Sequence, residues 1–161
     1  MPFTPFHLGI GAAAKAAFGD RFSFMVFGGS QVIMDLEPGF KMLTGATSLH
    51  GPSHTMLGAL GVGALAALTG KPISELVLRR LRFPGHEISW SASVFAAFLG
   101  TFSHIAFDAI MHADMHPWLP IGSGNALLGM LSMGALHGFC LAAGIIGAIG
   151  VWLRYRGGKP L

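Results

Sequence analysis

Charged residues and cysteine are scarce in this chain. Only 11% of its 161 residues are charged, whereas an ordinary soluble domain has about a quarter. The one cysteine, Cys140, has no partner within the chain, which excludes both a disulfide framework and a cysteine-based zinc site. The 10 Lys and Arg residues and 7 Asp and Glu residues give a formal charge of +3, but the basic residues are scattered. Nucleic-acid binding is therefore not expected.

Apolar residues and glycine are abundant instead. Hydrophobic residues make up 52% of the chain, the mean hydropathy is +0.62, and there are 24 glycines. A chain with so much apolar surface to bury is not intrinsically disordered. Its length fits one domain, so we expect residues 1–161 to form a single polytopic membrane domain. No cleavable signal peptide is expected, because residues 1–5 carry no positive charge.

Three segments are long and apolar enough to span a bilayer, which needs roughly 20 predominantly apolar residues per helix. They run from His54 to Gly70, from Ser91 to about His112, and from about Ala126 to Leu153. Two weaker segments, 5–18 and 22–36, precede them, and the first is short enough to be re-entrant. The predicted fold is an all-α integral membrane bundle of about five hydrophobic helices.

Glycine is expected to bring some of these helices close together. Gly134 and Gly138 have the spacing that lets helix backbones approach closely in lipid. Glycine is also frequent in membrane helices generally, which explains any single one of these residues equally well. A tightly packed bundle is the expected consequence of the pattern as a whole.

Lys and Arg fall in alternate connections between the predicted helices. The connections 15–21 and 70–90 and the C-terminal tail are basic, whereas the connections 37–53 and 113–125 hold only Lys41. By the positive-inside rule, the basic connections and the C-terminus face the cytoplasm. The other two connections then face outward.

Histidines and carboxylates collect at the outward ends of the predicted helices. The predicted orientation depends on Lys and Arg alone, so this convergence is an independent observation. Placing such groups at a membrane edge costs free energy, and they usually face a bundle interior or a water-filled cavity. The residues at this level are His7, Asp35, Glu37, His50, His54, His104, Asp108, His112, Asp114 and His116.

The fourth predicted helix has the most informative spacing. His104, Asp108 and His112 are four residues apart and therefore share one helix face. A regular helix separates the two histidines by about 12 Å along its axis, too far for both to ligate one zinc ion at about 2.0–2.2 Å. A site for two ions with Asp108 between them fits this spacing. The alternative is a hydrogen-bonded ladder of His and Asp at a helix interface.

The segment HGPSHT holds a second pair of histidines. Pro52 prevents a continuous helix through both, so we expect His50 in a loop and His54 in the first helical turn. Such a pair can approach a metal ion from different directions. Two histidines near a membrane surface are equally common as solvated residues.

Two carboxylates stand just before Pro38, which is predicted to end the second helix. Anions are unfavourable at a helix C-terminus, so Asp35 and Glu37 call for a compensating cation. A metal ion, a histidine partner or simple hydration meets that need.

Taken in order, these patterns resemble a known family of membrane proteins. The motifs of the YdjM-like (DUF457) inner-membrane proteins, described as metal-dependent hydrolases, are similar to Pro5-Phe6-His7, Asp35-Leu36-Glu37-Pro38, His50-Gly51-Pro52-Ser53-His54-Thr55 and Ser103-His104 followed by Asp108. That family is similar in turn to the zinc-dependent phospholipase C and P1 nuclease group. The resemblance covers residues 3–120. Glu37 stands where the family usually has Asp, and Gly51-Pro52 replaces an arginine-containing stretch.

The resemblance implies a metal-dependent hydrolase of the bacterial inner membrane. Asp35 and Glu37 are divided between metal binding and a general-base role. The helix-face spacing adds His112 to the metal-site residues that the resemblance implies. These residues are His7, Asp35, Glu37, His50, His54, His104 and Asp108.

The types of candidate ligand and their predicted position near the outer membrane face limit which metal ions and substrates are expected. Imidazoles and carboxylates without thiolates suit zinc, with manganese or iron as alternatives, as one divalent ion or two. A site at the level of the outer headgroups favours lipid or phosphoester substrates.

Two other interpretations fit the sequence. In the first, the chain is a non-catalytic accessory or scaffold subunit of a larger membrane complex, and the His and Asp residues satisfy one another or bind a structural metal. The small predicted extramembrane part favours it, because little chain is left to hold a substrate. In the second, the chain carries metal ions or protons, but only His137 is expected to lie deep in the membrane.

Overall fold

The computed structural model describes residues 4–83 and 87–158, and these fold into five α-helices. Residue 3 of the family resemblance and residues 159–161 of the basic tail lie outside this range. Short 3-10 turns precede the second and third helices, at Gly19–Arg21 and Pro52–His54. The helices are α1 (Thr4–Phe18), α2 (Phe24–Leu43), α3 (Met56–Arg80), α4 (Trp90–Met111) and α5 (Met133–Arg156). The predicted all-α bundle is confirmed.

Three of the described helices are long and apolar enough to cross a membrane. They are α3, α4 and α5, with 25, 22 and 24 residues. These helices correspond to the three segments that the sequence predicts to span a bilayer, and their many exposed apolar side chains suit that environment. α1 packs mainly against α5, and α2 packs against α3 and α4.

Two helices continue past the points at which the sequence predicts their ends. α2 runs through the buried Pro38 to Leu43, so the prediction that Pro38 ends this helix is wrong. α3 contains Pro72 and continues beyond Gly70 to Arg80. A proline inside a helix removes one backbone hydrogen bond, a loss that packing against neighbouring helices offsets in membrane bundles.

The last helix begins later than predicted, at Met133 instead of near Ala126. Residues 112–132 form turns that pack against the end of α4. Asn125 holds them in place by donating a hydrogen bond of 2.9 Å to the carbonyl oxygen of Ala109. Side-chain competition of this kind for backbone groups favours turns over helix.

α4 lies at the centre of the bundle between α2 and α3. In the most apolar 18-residue stretch of α4, 44% of the residues are buried, against 22% in the corresponding stretch of α3 and 17% in that of α5. Small residues permit this position, since a Cβ atom at Gly100 would lie 2.0 Å from Oγ of Ser30 in α2. Polar residues in the second half of α4 are therefore placed inside the bundle.

α1 approaches α5 closely through glycines other than the predicted pair. A Cβ atom at Gly9 would lie 2.0 Å from the carbonyl oxygen of Cys140, and one at Gly147 would lie 2.3 Å from the backbone of α1. Gly134 and Gly138 have no described atom within 4 Å of such a Cβ atom. These two glycines therefore fit the general frequency of glycine in membrane helices, while the expected tight packing is present at Gly9 and Gly147.

The helices place ionisable residues at two opposite ends of the bundle. At the basic end, Lys71 lies over the ring of Trp90, the first residue of α4, and Arg154 donates to the carbonyl oxygen of Ala16. The histidine end holds His7, His50, His54, His104 and Asp108. The described basic connections therefore lie at one end of the bundle, as the sequence predicts. The side of a membrane that each end faces stays a prediction.

Candidate metal centre

Two helices and one turn bring imidazoles and carboxylates together at the histidine end. Asp35 comes from the middle of α2, His54 from the turn before α3, and His104 and Asp108 from the end of α4. Each of these four residues offers one ligand-type atom, and the four atoms lie within 4.8 Å of one another. Such a grouping can hold a metal ion.

Asp108 lies at the centre of this grouping. Its carboxylate oxygens are 3.1 Å from Nε2 of His104, 3.6 Å from Nε2 of His54 and 3.8 Å from Nε2 of His7. Nε2 of His50 lies 3.9 Å away. Asp108 is only 2% exposed. Four imidazole rings therefore direct the same ring atom at one buried carboxylate.

Asp35 forms the open side of the site. Its Oδ1 lies 3.4 Å from Nε2 of His104, and its side chain is 30% exposed, against 1% for His104. Solvent therefore reaches the site past this carboxylate. We refer to His7, Asp35, His54, His104 and Asp108 as the Asp108 cluster.

The start of α3 determines where His54 lies. Thr55 is the N-cap of α3, and its hydroxyl accepts a hydrogen bond of 2.9 Å from the N–H of Gly58. His54 is thus the last residue of the 3-10 turn and not part of the first helical turn, so that prediction is wrong. Pro52 is the cause, because it begins the 3-10 turn and delays the helix. His50 lies in a loop, as predicted.

His104 and Asp108 share one helix face as their spacing predicts, but His112 does not continue that face. α4 ends at Met111, and the backbone at His112 is extended. The ring of His112 lies beside that of His50, with centroids 4.5 Å apart. His50, His112 and Asp114 form a second group, whose ligand-type atoms lie within 4.8 Å of one another.

Gln31 fixes the orientation of two rings of the Asp108 cluster. Its Oε1 lies 2.7 Å from Nδ1 of His104 and 3.3 Å from Nδ1 of His7. Its Nε2 donates to the carbonyl oxygen of Gly100 at 2.9 Å, which determines which end of the amide faces the rings. An amide oxygen only accepts, so Nδ1 of His104 donates to it, and the Nε2 atoms of both rings are left to face Asp108.

Ser53 and Glu37 orient His54 in the same way. The hydroxyl of Ser53 donates to Glu37, and Nδ1 of His54 lies 2.9 Å from that hydroxyl oxygen. Since a hydroxyl has a single proton, its oxygen accepts from Nδ1 of His54. Nε2 of His54 is therefore the ring nitrogen left to face Asp108, 3.6 Å away.

Glu37 belongs to this supporting shell and not to the Asp108 cluster. Burial opposes ionisation of Glu37, but hydrogen bonds from Ser53 and Lys41 outweigh it and lower the pKa of this carboxyl. The Nζ atom of Lys41 lies 3.0 Å from the Glu37 carboxylate. The compensating cation expected near Glu37 is thus a lysine one helical turn further on.

Asp114 holds His50. Its Oδ1 lies 2.8 Å from Nδ1 of His50, and its Oδ2 accepts from the backbone N–H groups of Leu49 and His50 at 2.8 and 3.1 Å. Partial burial opposes ionisation of Asp114, but these hydrogen bonds lower its pKa well below the ordinary range. Nε2 of His50 is left to face Asp108.

The cluster contains buried polar atoms that have no hydrogen-bond partner among the described residues. They are Nε2 of His7, His54 and His104 and Oδ1 of Asp108. Buried polar atoms are normally paired, and each unpaired group costs about 1–3 kcal/mol. Neutral imidazole nitrogens and a carboxylate oxygen are the atoms that zinc binds. The residues present therefore fit a divalent metal ion.

The hydrogen-bond partners of the rings were not predicted from the sequence. Gln31 and Ser53 are uncharged, so a search for ionisable residues passes over them, and Asp114 gave no more signal than its position at the membrane edge. Metal-binding histidines typically donate their other ring N–H to such partners. Gln31, four residues before Asp35 in an apolar helix, is the one that its polarity could have revealed.

His137 belongs to neither group of ligand-type atoms among the described residues. It is in the second turn of α5, where its ring stacks on Phe6 with centroids 4.5 Å apart. The expectation that it lies deep in the membrane is wrong because α5 begins later than predicted. The interpretation as a carrier loses the one deep polar residue on which it depended.

Comparisons of the chain with protein-family models, with curated proteins and with solved structures found no match. The resemblance to the YdjM-like family stays a prediction. The interpretation of the site therefore depends on the distances and hydrogen bonds described above.

Proposed function

We propose that this chain is a membrane-embedded, metal-dependent hydrolase and that the Asp108 cluster is its metal site. One observation carries the proposal, namely that the Nε2 atoms of three buried histidines converge on the Asp108 carboxylate, at 3.1, 3.6 and 3.8 Å. Nitrogen and oxygen ligands without thiolates suit zinc, with manganese or iron as alternatives.

His54, His104 and Asp108 would hold the ion, with His7 facing the same carboxylate, and Asp35, whose ligand-type atom groups with theirs, lies at the open side of the site. A divalent ion supplies Lewis-acid chemistry there, since it polarises an ester or phosphoryl oxygen and activates water. Asp35 is exposed enough to meet both water and substrate, so we assign it the general-base role. Glu37 acts through Ser53 and His54 and is a positioning residue.

We propose a second ion beside the first. Nε2 of His50 faces Asp108, and Nε2 of His112 is buried without a partner among the described residues. These two rings and Asp108 would hold the second ion, while Asp114 orients His50. This arrangement retains the predicted position of Asp108 between two ions.

The position of the site indicates the substrate class. The site lies at the end of the bundle opposite the basic end, which the positive-inside rule places outward. Esters and phosphoesters of lipid headgroups are the substrates available at that level. The resemblance to the YdjM-like family supports the same reaction class.

The proposal is tested by assaying the detergent-purified chain, loaded with zinc or manganese, on phospholipids and on a chromogenic phosphodiester. Wild type is compared with Asp108→Asn and with the control Glu75→Gln at the basic end. We expect metal-dependent hydrolysis by wild type and control and a loss of about 100-fold or more in Asp108→Asn, since even partners of metal ligands contribute about 10–100-fold. A metal-loaded wild type that hydrolyses none of these compounds would favour the accessory-subunit interpretation.

A further inference from the structure

A groove of about 500 Å³ opens beside the Asp108 cluster. It lies between the start of α3 and the turns that follow α4. A volume of this size is within the usual range for ligand pockets, about 300–1,000 Å³. Its lining includes His50, Pro52, Leu57, His116, Leu119 and Pro120.

The groove presents mainly hydrocarbon, because its polar side chains are engaged elsewhere. The hydroxyl of Thr55 donates to the carbonyl oxygen of Pro52 and accepts from the N–H of Gly58, both at 2.9 Å. Nδ1 of His116 donates to the carbonyl oxygen of Ser123 at 2.7 Å. A ligand therefore meets apolar surface along most of the groove.

A backbone hydrogen bond ties the two walls of the groove together. The N–H of Met56, the first residue of α3, donates to the carbonyl oxygen of Pro117 at 2.8 Å. This bond joins α3 to the turns that follow α4. The groove is therefore preformed, and a ligand does not have to order its walls.

Bilayer lipid can reach the groove from the side. Leu57, in the first turn of α3, is 57% exposed, and Leu119 on the opposite wall is 42% exposed. The neighbouring Trp118 is 52% exposed, and exposed tryptophan is typical of the membrane–water interface. The groove thus opens where α3 would enter the hydrocarbon region.

We propose that this groove binds one acyl chain of a bilayer glycerophospholipid and holds the polar end of that lipid beside His50. His50 connects the two regions, because it lines the groove while its Nε2 lies 3.9 Å from Asp108. An apolar groove that ends at a histidine complements an amphiphile with a chain and a polar head. Hydrolysis of the bound lipid rests on the proposed function, whereas binding of the lipid in the groove does not.

Native mass spectrometry of the full chain tests the inference. Chelator-treated protein in detergent receives palmitoyl-oleoyl phosphatidylglycerol, and retained lipid per chain is counted for wild type, Leu57→Trp and Leu60→Trp. Leu60 is the matched control, because it lies one turn further along α3, is 47% exposed and does not line the groove. We expect one lipid per chain in wild type and in the control, and about tenfold weaker retention in Leu57→Trp.

A second variant, Leu119→Asn, keeps the test decisive if tryptophan at position 57 disturbs folding. It makes the opposite wall polar and is expected to weaken retention as well. Equal retention in wild type and both groove variants would overturn the inference. Equal loss in the Leu60 control, or detergent or a second copy of the chain in place of the lipid, would also overturn it. Because the metal has been removed, failure here is distinct from failure of the hydrolase proposal.

Discussion

The two ends of the bundle treat polar side chains differently. At the basic end, Lys71 and Glu75 form an ion pair, and Glu75 also accepts from the N–H of Ile88 at 2.8 Å. Lys15 donates to the carbonyl oxygen of Phe22 at 2.9 Å. These charged side chains therefore find ionic or hydrogen-bond partners within the fold.

At the histidine end, the hydrogen-bond partners of the imidazole rings lie around the outside of the site. Gln31, Ser53 and Asp114 engage Nδ1 atoms, while the Nε2 atoms of His7 and His104 face the Asp108 carboxylate in the interior of the site. Polar groups with a structural role satisfy one another, whereas groups that bind a ligand are held open toward it. The predictions below test this difference between the two ends.

The largest effect is expected from removing a ring of the cluster. His104→Ala deletes the ring closest to Asp108 and should weaken zinc binding by about 100-fold or more. Competition with a chromogenic chelator measures that affinity. His137→Ala is the matched control outside the cluster and should bind zinc as wild type does. An equal loss of zinc affinity in both variants would contradict the assignment of His104 as a ligand.

Metal addition should stabilise the fold through the same cluster. A ligand that binds only the folded state stabilises it by about 2.7 kcal/mol at a concentration 100 times its Kd. We therefore expect zinc to raise the Tm of chelator-treated wild type in a thermal-shift experiment. Asp108→Asn should show little of this increase. A Tm that rises equally in this variant would place the metal elsewhere.

A smaller effect is expected at Gln31, which positions two rings without touching the ion. Gln31→Leu removes the acceptor for Nδ1 of His104 and His7 and should weaken zinc binding by about 10-fold. Gln31→Glu retains an acceptor and should recover part of the affinity. If both variants lower the Tm of metal-free protein equally and neither changes zinc affinity, Gln31 is a packing residue only.

The smallest effect is expected at the basic end. Lys71→Ala removes one ion pair near the surface, a contribution of about 0–1 kcal/mol. The Tm should fall slightly, and zinc affinity should stay at the wild-type value. A marked loss of zinc affinity in Lys71→Ala would show that the two ends are not independent.

Local spacing predicted the part of the site that lies within one helix. His104 and Asp108 share a face because the period of an α-helix is fixed. The alternation of basic connections predicted that histidines of other segments would join them, and His7, His50 and His54 do so. These features follow from short-range geometry and from charge placement.

Long-range contacts decided the features that the sequence did not predict. Pro38 continues a helix because it is buried against neighbouring elements, and His112 leaves the helix face because the turns held by Asn125 end α4. The role of Gln31 depends on the carbonyl oxygen of Gly100, 69 residues further along the chain. No local pattern reports a contact over that distance.

The central claim is that the Asp108 cluster binds metal. Its most direct test is the metal content per chain, measured by mass spectrometry on detergent-purified wild type and Asp108→Ala. We expect at least one equivalent of zinc or manganese in wild type and its loss in the variant. Folded wild type without metal above background, or a folded variant that keeps the wild-type content, would contradict it.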